Sequence, residues 1–293
     1  MLGLALLGIS FAGPLVKLSA SEPLAIAAWR LFFSLILVGG FLVATGEWRE
    51  WRHASRSDAG LSVLAGVLLA LHFWAWNASI QLTTIAASVT LVSLQPAFVV
   101  GISVLFLREY PSRLQVTGIL IAFAGAMVIA LPSVLGDDAI ARNAFLGNLL
   151  AISAAMTAGA YYTIGRRVRA SMGVWAYVGI VYFSCFATVV AIALARATPL
   201  YPMPSRELSI FAGLAIGPML LGHTGMNWAL KYMPAYIVNL LVLGEPVGAT
   251  LIGALVPGIG QIPSPVTMLG SAIVLGGVII AAHATRAMSS ADR

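Results

Sequence analysis

The chain has 293 residues, of which 60% are hydrophobic and only 9% charged, and its mean hydropathy is +0.97. About a quarter of the residues of a soluble domain are charged, so this composition excludes a soluble fold and makes the lipid bilayer the main solvent. A net charge of +6 would suggest nucleic acid in a soluble protein; here the basic residues sit in loops between apolar runs, where they hold loops on the cytoplasmic side, and no nucleic-acid partner is expected.

Ten apolar runs reach spanning length, about 20 residues each. They cover residues 2–17, 24–45, 59–81, 85–107, 112–131, 145–165, 174–195, 208–230, 234–256 and 265–284. Their length predicts helices, because barrel strands would be about half as long and would alternate. The first run carries Gly3, Gly8, Gly13 and Pro14 and competes with a signal peptide. No basic residue precedes its apolar stretch and Lys17 follows it, so it is read as a retained helix. Cys185 is the single cysteine, which excludes an intramolecular disulfide and a cysteine-based metal cluster. No cofactor or metal is expected.

With a cytoplasmic N-terminus, the inside holds Arg49, Arg52, Arg56, Arg108, Arg113, Arg166, Arg167, Arg169, Lys231, Arg286 and Arg293. The outside holds only Lys17, Arg142, Arg196 and Arg206. This bias predicts both termini in the cytoplasm and a multi-pass protein of the inner (plasma) membrane. Trp48 and Trp51 are read as inner interface anchors and Trp29 as an outer one. Arg30 lies about two turns inside the second span and is read as snorkelling outward.

Two stretches correspond at an offset of 150 residues. Asn77 falls on Asn227, Gln81 on Lys231, Gln95 on Glu245 and Pro96 on Pro246. At an offset of 152, Gly118 falls on Gly270 and Gly125 on Gly277. The predicted fold is an all-α membrane protein of ten transmembrane helices in two five-helix repeats, residues 1–131 and 144–284. Residues 132–143 form a polar linker and residues 285–293 a cytoplasmic tail. Because five is odd, the second repeat must cross in the opposite sense, and such halves enclose a substrate path.

The chain resembles the drug/metabolite transporter superfamily, in its ten-helix EamA-type branch. The resemblance rests on Pro96, on Phe106-Leu107-Arg108-Glu109 closing span 4, on Leu114-Gln115-Val116-Thr117-Gly118 with Ala124-Gly125, on Glu245-Pro246, and on Met268-Leu269-Gly270 with Gly276-Gly277. The chain departs from the pattern after span 9, where Pro257-Gly258-Ile259-Gly260-Gln261 offers no counterpart to Glu109. The resemblance implies export of small metabolites or drugs by alternating access; some similar bacterial proteins export amino acids.

Polar groups in lipid are costly, about 2.5–3.5 kcal/mol for a mid-membrane charge, so they should face a cavity or a partner. Glu245 is the one acid near the middle of any predicted span. It suits a cationic group of a substrate or a cycling proton. Spacing by four puts His223, Asn227 and Lys231 on one helix face and Phe73, Asn77 and Gln81 on another. These stripes also suit plain interhelical hydrogen bonding. His72 and Trp76 share a face, as do Ser153, Thr157 and Tyr161; Thr84, Ser88 and Gln95 form a further stripe. Trp74, Trp76, Tyr161, Tyr162 and Trp228 offer rings for stacking. Pro96 and Pro246, placed mid-span, should kink their helices and free the carbonyls of Val92 and Val242. Small-residue pairs such as Gly213 with Gly217, Gly244 with Gly248 and Ala122 with Ala126 permit close helix approach.

The expected site comprises Glu245, Gln95, Asn77, Asn227, His223, His72, Trp76, Tyr161, Thr157 and Ser88, at the midplane between spans 3, 4, 8 and 9. No G-x-x-x-x-G-K loop occurs, so energy must come from gradients, protons among them. The leading expectation is a secondary exporter of small-molecule substrates such as amino acids. A multidrug or organic-cation proton antiporter is the alternative. An intramembrane enzyme is remote, since no H-E-x-x-H motif exists, although His72, His223 and His283 lie in three spans. Nothing in the sequence sets the oligomeric state.

Overall fold

The computed structural model describes residues 2–102, 112–135, 139–232, 238 and 244–291. Among these every regular element is helical. This is the expected answer to lipid, which offers backbone groups no partners, so each segment must satisfy its own. The helices are α1 (Leu2–Ser10), α2 (Ala12–Leu18), α3 (Pro23–Thr45), α4 (Arg56–Leu82), α5 (Ile85–Val92), α6 (Gln95–Ile102) and α7 (Arg113–Leu135). They continue with α8 (Ala139–Val168), α9 (Val174–Ala195), α10 (Ser205–Leu214), α11 (Gly225–Ala229), α12 (Glu245–Leu255) and α13 (Pro265–Ala291). A 3-10 helix, Glu47–Arg52, follows α3, and a π-helix, Ala215–Thr224, joins α10 to α11.

Seven of the described segments are long and apolar enough to cross a membrane: Pro23–Thr45, Arg56–Leu82, Ile85–Ile102, Arg113–Pro132, Arg142–Val168, Val174–Ala195 and Ser205–Ala229. Leu2–Leu18, Glu245–Leu255 and Pro265–Ala281 are shorter apolar helices. Large apolar side chains such as Ile36, Leu120, Met127, Phe183 and Leu251 face outward, as lipid-facing positions should.

Helix ends follow local chemistry. Pro23 opens α3 in its first turn, and Gly46 closes it in the left-handed region at φ 72°. The Ser55 hydroxyl accepts from Asp58 N at 3.0 Å and caps α4. At the other end of α4, Lys17 Nζ donates to Ile80 O at 2.7 Å and Thr83 O at 3.0 Å, a cation placed on the negative end of the helix dipole. Glu47 accepts from Trp175 N at 2.8 Å and Ala176 N at 3.1 Å, and Glu50 from Gly173 N at 2.7 Å, so the 3-10 segment caps α9.

Three predicted spans are not continuous α-helices. The first breaks at Phe11, the fourth at Ser93 and Leu94, and the eighth widens into the π-helix around Pro218. The sequence suggested kinks inside helices at Pro96 and Pro246; Pro96 instead follows the break at Ser93 and Leu94, and the residues one turn before Pro246 lie outside the described residues. Each is the second residue of its helix, where a missing N–H costs nothing. α7 and α8 also extend into the predicted linker, reaching Leu135 and starting at Ala139. Asp137, Asp138, Val242 and the Phe106–Glu109 motif lie outside the described residues.

α4 packs on α8 and α9, α3 on α9, α1 on the π-helix, and α7 on α13; α5 and α6 lean on α8, and α12 on α1, α2 and α5. Glycine permits the closest of these approaches. A methyl group at Gly118 would fall 2.6 Å from Gly277 O, and one at Gly125 would fall 2.8 Å from Gly270 O.

Candidate substrate site

Several helix ends meet at a partly open cavity that carries polar side chains in its wall. Span 3 contributes His72 and Trp76, span 4 Val92 and Gln95, span 8 Pro218 and His223, and span 9 Glu245. Ile9, Ala12, Arg30, Ala158 and Tyr162 complete the wall from α1, α2, α3 and α8. The cavity volume is about 40 Å³. That suffices for water and is far below the several hundred Å³ of a typical ligand pocket, so a metabolite enters only if the walls move.

Two aromatic clusters set the imidazoles. His72 Nδ1 donates to Ala154 O at 2.9 Å, which leaves Nε2 as an acceptor. Trp76, one turn on, stacks parallel to the His72 ring at 6.3 Å between centres. His223 lies in the π-helix, its ring 6.2 Å from His72 and 5.2 Å from Phe73. Tyr162 Oη approaches His223 Nδ1 at 3.5 Å. A proline inside a helix removes a donor and crowds the turn before it. The π geometry around Pro218 relieves that crowding and shifts the facing of His223, in the manner of π segments at functional sites.

Gln95 and Glu245 hold matching stations. Each is the first residue of its helix, Gln95 after the turn at Ser93 and Leu94 and Glu245 after the turn at Gly244. Gln95 is buried, whereas Glu245 and His223 retain partial exposure.

Arg30 does not snorkel. It is 0% exposed, and its guanidinium carbon sits 4.1 Å from the centre of the Phe73 ring. None of its three nitrogens has a hydrogen-bond partner among the described residues. Trp76 Nε1 is likewise buried without one. The signal was present in the sequence, a lone charge in an otherwise uncharged 23-residue helix. Its direction was not, because α9 and α4 close the route outward.

The other predicted positions lie outside the cavity wall. Asn77 Nδ2 donates to Pro23 O at 3.2 Å. Asn227 Nδ2 donates to Tyr161 Oη and to His223 O, and the backbone carbonyl of Asn227 accepts from Arg169 Nε at 3.0 Å. Ser88 pairs with Ser79, both buried. Thr157 bonds Ser153 O and Ala154 O of its own helix. Gln81 reaches Ser21 O at 2.8 Å, and Lys231 is exposed.

Fold and cavity together define a multi-pass helical membrane protein with an interior chamber walled in part by polar side chains. The model of the EamA-like transporter family matches residues 1–131 and 145–282, and the chain belongs to that family, within the drug/metabolite transporter superfamily. An uncharacterized transporter of Archaeoglobus fulgidus is 26% identical over 290 residues, covering 93% of each chain. A solved crystal structure shares the fold with a TM-score of 0.67 at 19% identity, over 98% of this chain and 96% of that one. Family and relative point to a transporter rather than an enzyme.

Proposed function

We propose that this protein is a secondary transporter that exports small amphipathic metabolites, amino acids foremost, by alternating access around the cavity. One observation carries the reading. Gln95 and Glu245, 150 residues apart and each the first residue of a helix, line the same chamber. Broken helices meeting near the middle of the bilayer are the usual way a transporter exposes polar groups to a substrate.

The packing supports two inverted halves, residues 1–131 and 144–284. The contact of α4 with α8 has its counterpart in that of the π-helix with α1. The contacts of α5 and α6 with α8 correspond to those of α12 with α1 and α2. Gly118 against Gly277 and Gly125 against Gly270 exchange onto each other when the halves are superposed in sequence. In this reading both termini are cytoplasmic, the linker spans 132–143, and the tight chamber is a contracted state. Glu245, with His223 in the same wall, couples transport to protons.

A second reading keeps the architecture and changes the cargo. Glu245 beside Trp76 and Tyr162 also suits a lipophilic cation exchanged for protons. Counterflow in liposomes with amino acids, polyamines and quaternary cations separates the two. Exchange of amino acids supports the first reading and exchange of cations alone supports the second. Exchange of no class overturns both cargo readings.

A further inference from the structure

We propose that Arg30 binds the carboxylate of the substrate, so that the cavity selects zwitterions, with Glu245 receiving the ammonium group. This deepens the transport reading above and rests on it.

The first argument is the cost of leaving Arg30 as it stands. A fully buried guanidinium with no hydrogen bond from any of its nitrogens is among the most expensive arrangements in a membrane interior. The Phe73 ring offsets only part of that cost. A purely structural arginine would be expected to reach backbone carbonyls, as Arg169 does with Asn227 O and Met172 O. Arg30 instead lines the chamber. Trp76 Nε1, a second buried donor without a protein partner, lines it too. Unused donors on one small cavity call for an acceptor-rich ligand group.

The second argument is charge balance. Arg30 and Glu245 bring one group of each sign to the same chamber. They are not joined as an ion pair; among the described residues the ion pair within bonding distance is Arg206 with Glu207, elsewhere in the molecule. A zwitterion placed between them satisfies both and adds no net charge to a low-dielectric space. A lone cation would leave Arg30 unpaired, and a phosphate dianion would bring excess negative charge beside Glu245. Arginine also presents the planar fork that matches a carboxylate in two parallel hydrogen bonds, which lysine cannot do.

The test is counterflow of radiolabelled neutral L-amino acids in proteoliposomes, with competition by the same amino acids and by their carboxamides, which lack the carboxylate. Wild type should favour the acids by about 30-fold or more, the loss typical of leaving one partner of a buried charge pair alone. Arg30→Gln should abolish that preference, and Arg30→Lys should restore only a small part of it. Equal competition by acids and amides in wild type overturns the proposal, even if the variants fail to fold. An unchanged acid preference in a folded Arg30→Gln protein overturns it as well. If quaternary cations exchange and amino acids do not, the zwitterion proposal falls while the transporter stands; if no class exchanges, the amino-acid reading of the cargo falls first.

Discussion

The guanidinium of Arg30 on α3 lies over the ring of Phe73 on α4, its central carbon 4.1 Å from the ring centre. Both residues are fully buried. A desolvated cation–π contact is worth about 2 kcal/mol. Phe73→Leu keeps an apolar side chain and removes the ring face. Its destabilisation should shrink by about 1–2 kcal/mol when Arg30 is also changed to Met. Unfolding by SDS titration of the four proteins in mixed micelles measures that coupling, and additive losses would show that the stacking carries no energy.

Glu245 is assigned the proton-coupling role. Glu245→Gln keeps the shape and removes the charge. Accumulation driven by a pH gradient should fall about tenfold or more, as expected when an intramembrane carboxylate is part of the pathway. Normal pH-driven accumulation in the variant would end the coupling role of Glu245.

Gly118 and Gly277 hold α7 and α13 together. A methyl group at Gly118 would meet Gly277 O at 2.6 Å and Ala281 N at 2.5 Å, both backbone atoms that cannot swing away. Gly118→Ala should cost about 1–3 kcal/mol through overpacking. Gly276→Ala is the internal control, because open space surrounds that position. Its variant should match or exceed wild type in thermal unfolding, since alanine favours helix over glycine by about 0.8–1.0 kcal/mol.

Asn227 and Tyr161 test the boundary between framework and chamber. Tyr161→Phe removes the hydroxyl that accepts from Asn227 Nδ2. Interhelical hydrogen bonds in membranes are worth about 0.6 kcal/mol on average and up to about 1.7 kcal/mol. The variant should lose stability within that range and keep the substrate preference of wild type in counterflow. A changed preference with unchanged stability would move this pair into the binding site.

Glu47 and Glu50 make a fourth structural claim testable. Their carboxylates accept from three backbone N–H groups at the start of α9. Glu47→Ala should lower stability by about 1 kcal/mol, the usual worth of an N-terminal cap. The same loss in Glu47→Gln would show that the carboxylate charge adds to the hydrogen bonds through the helix dipole.

Part of the cavity wall was legible before any coordinates. An intramembrane carboxylate is conspicuous against a background of Leu, Val and Ala, and the 150-residue offset pairs Glu245 with Gln95. His72, His223 and Trp76 were also in reach, and all five line one chamber. Asn77 and Asn227 looked equally eligible by the same argument, yet neither lines the chamber: their Nδ2 groups donate to Pro23 O and to Tyr161 Oη, while their Oδ1 atoms are buried without a partner among the described residues. Sequence spacing reports that polar groups share a face. It does not report which of those groups face the chamber and which are held by a neighbouring segment.

Composition by itself determined the solvent, and with it the helical class and the apolar outer faces, because hydropathy is a property of each segment taken alone. The matched prolines marked where two helices begin. Only the tertiary structure decided that Arg30 turns inward, that Pro218 opens a π-helix under His223, and that the chamber draws walls from α1, α3 and α8 as well. Those outcomes depend on which distant segments pack against a given face, and lipid imposes no preference among inward-facing arrangements that leave backbone and charge equally covered.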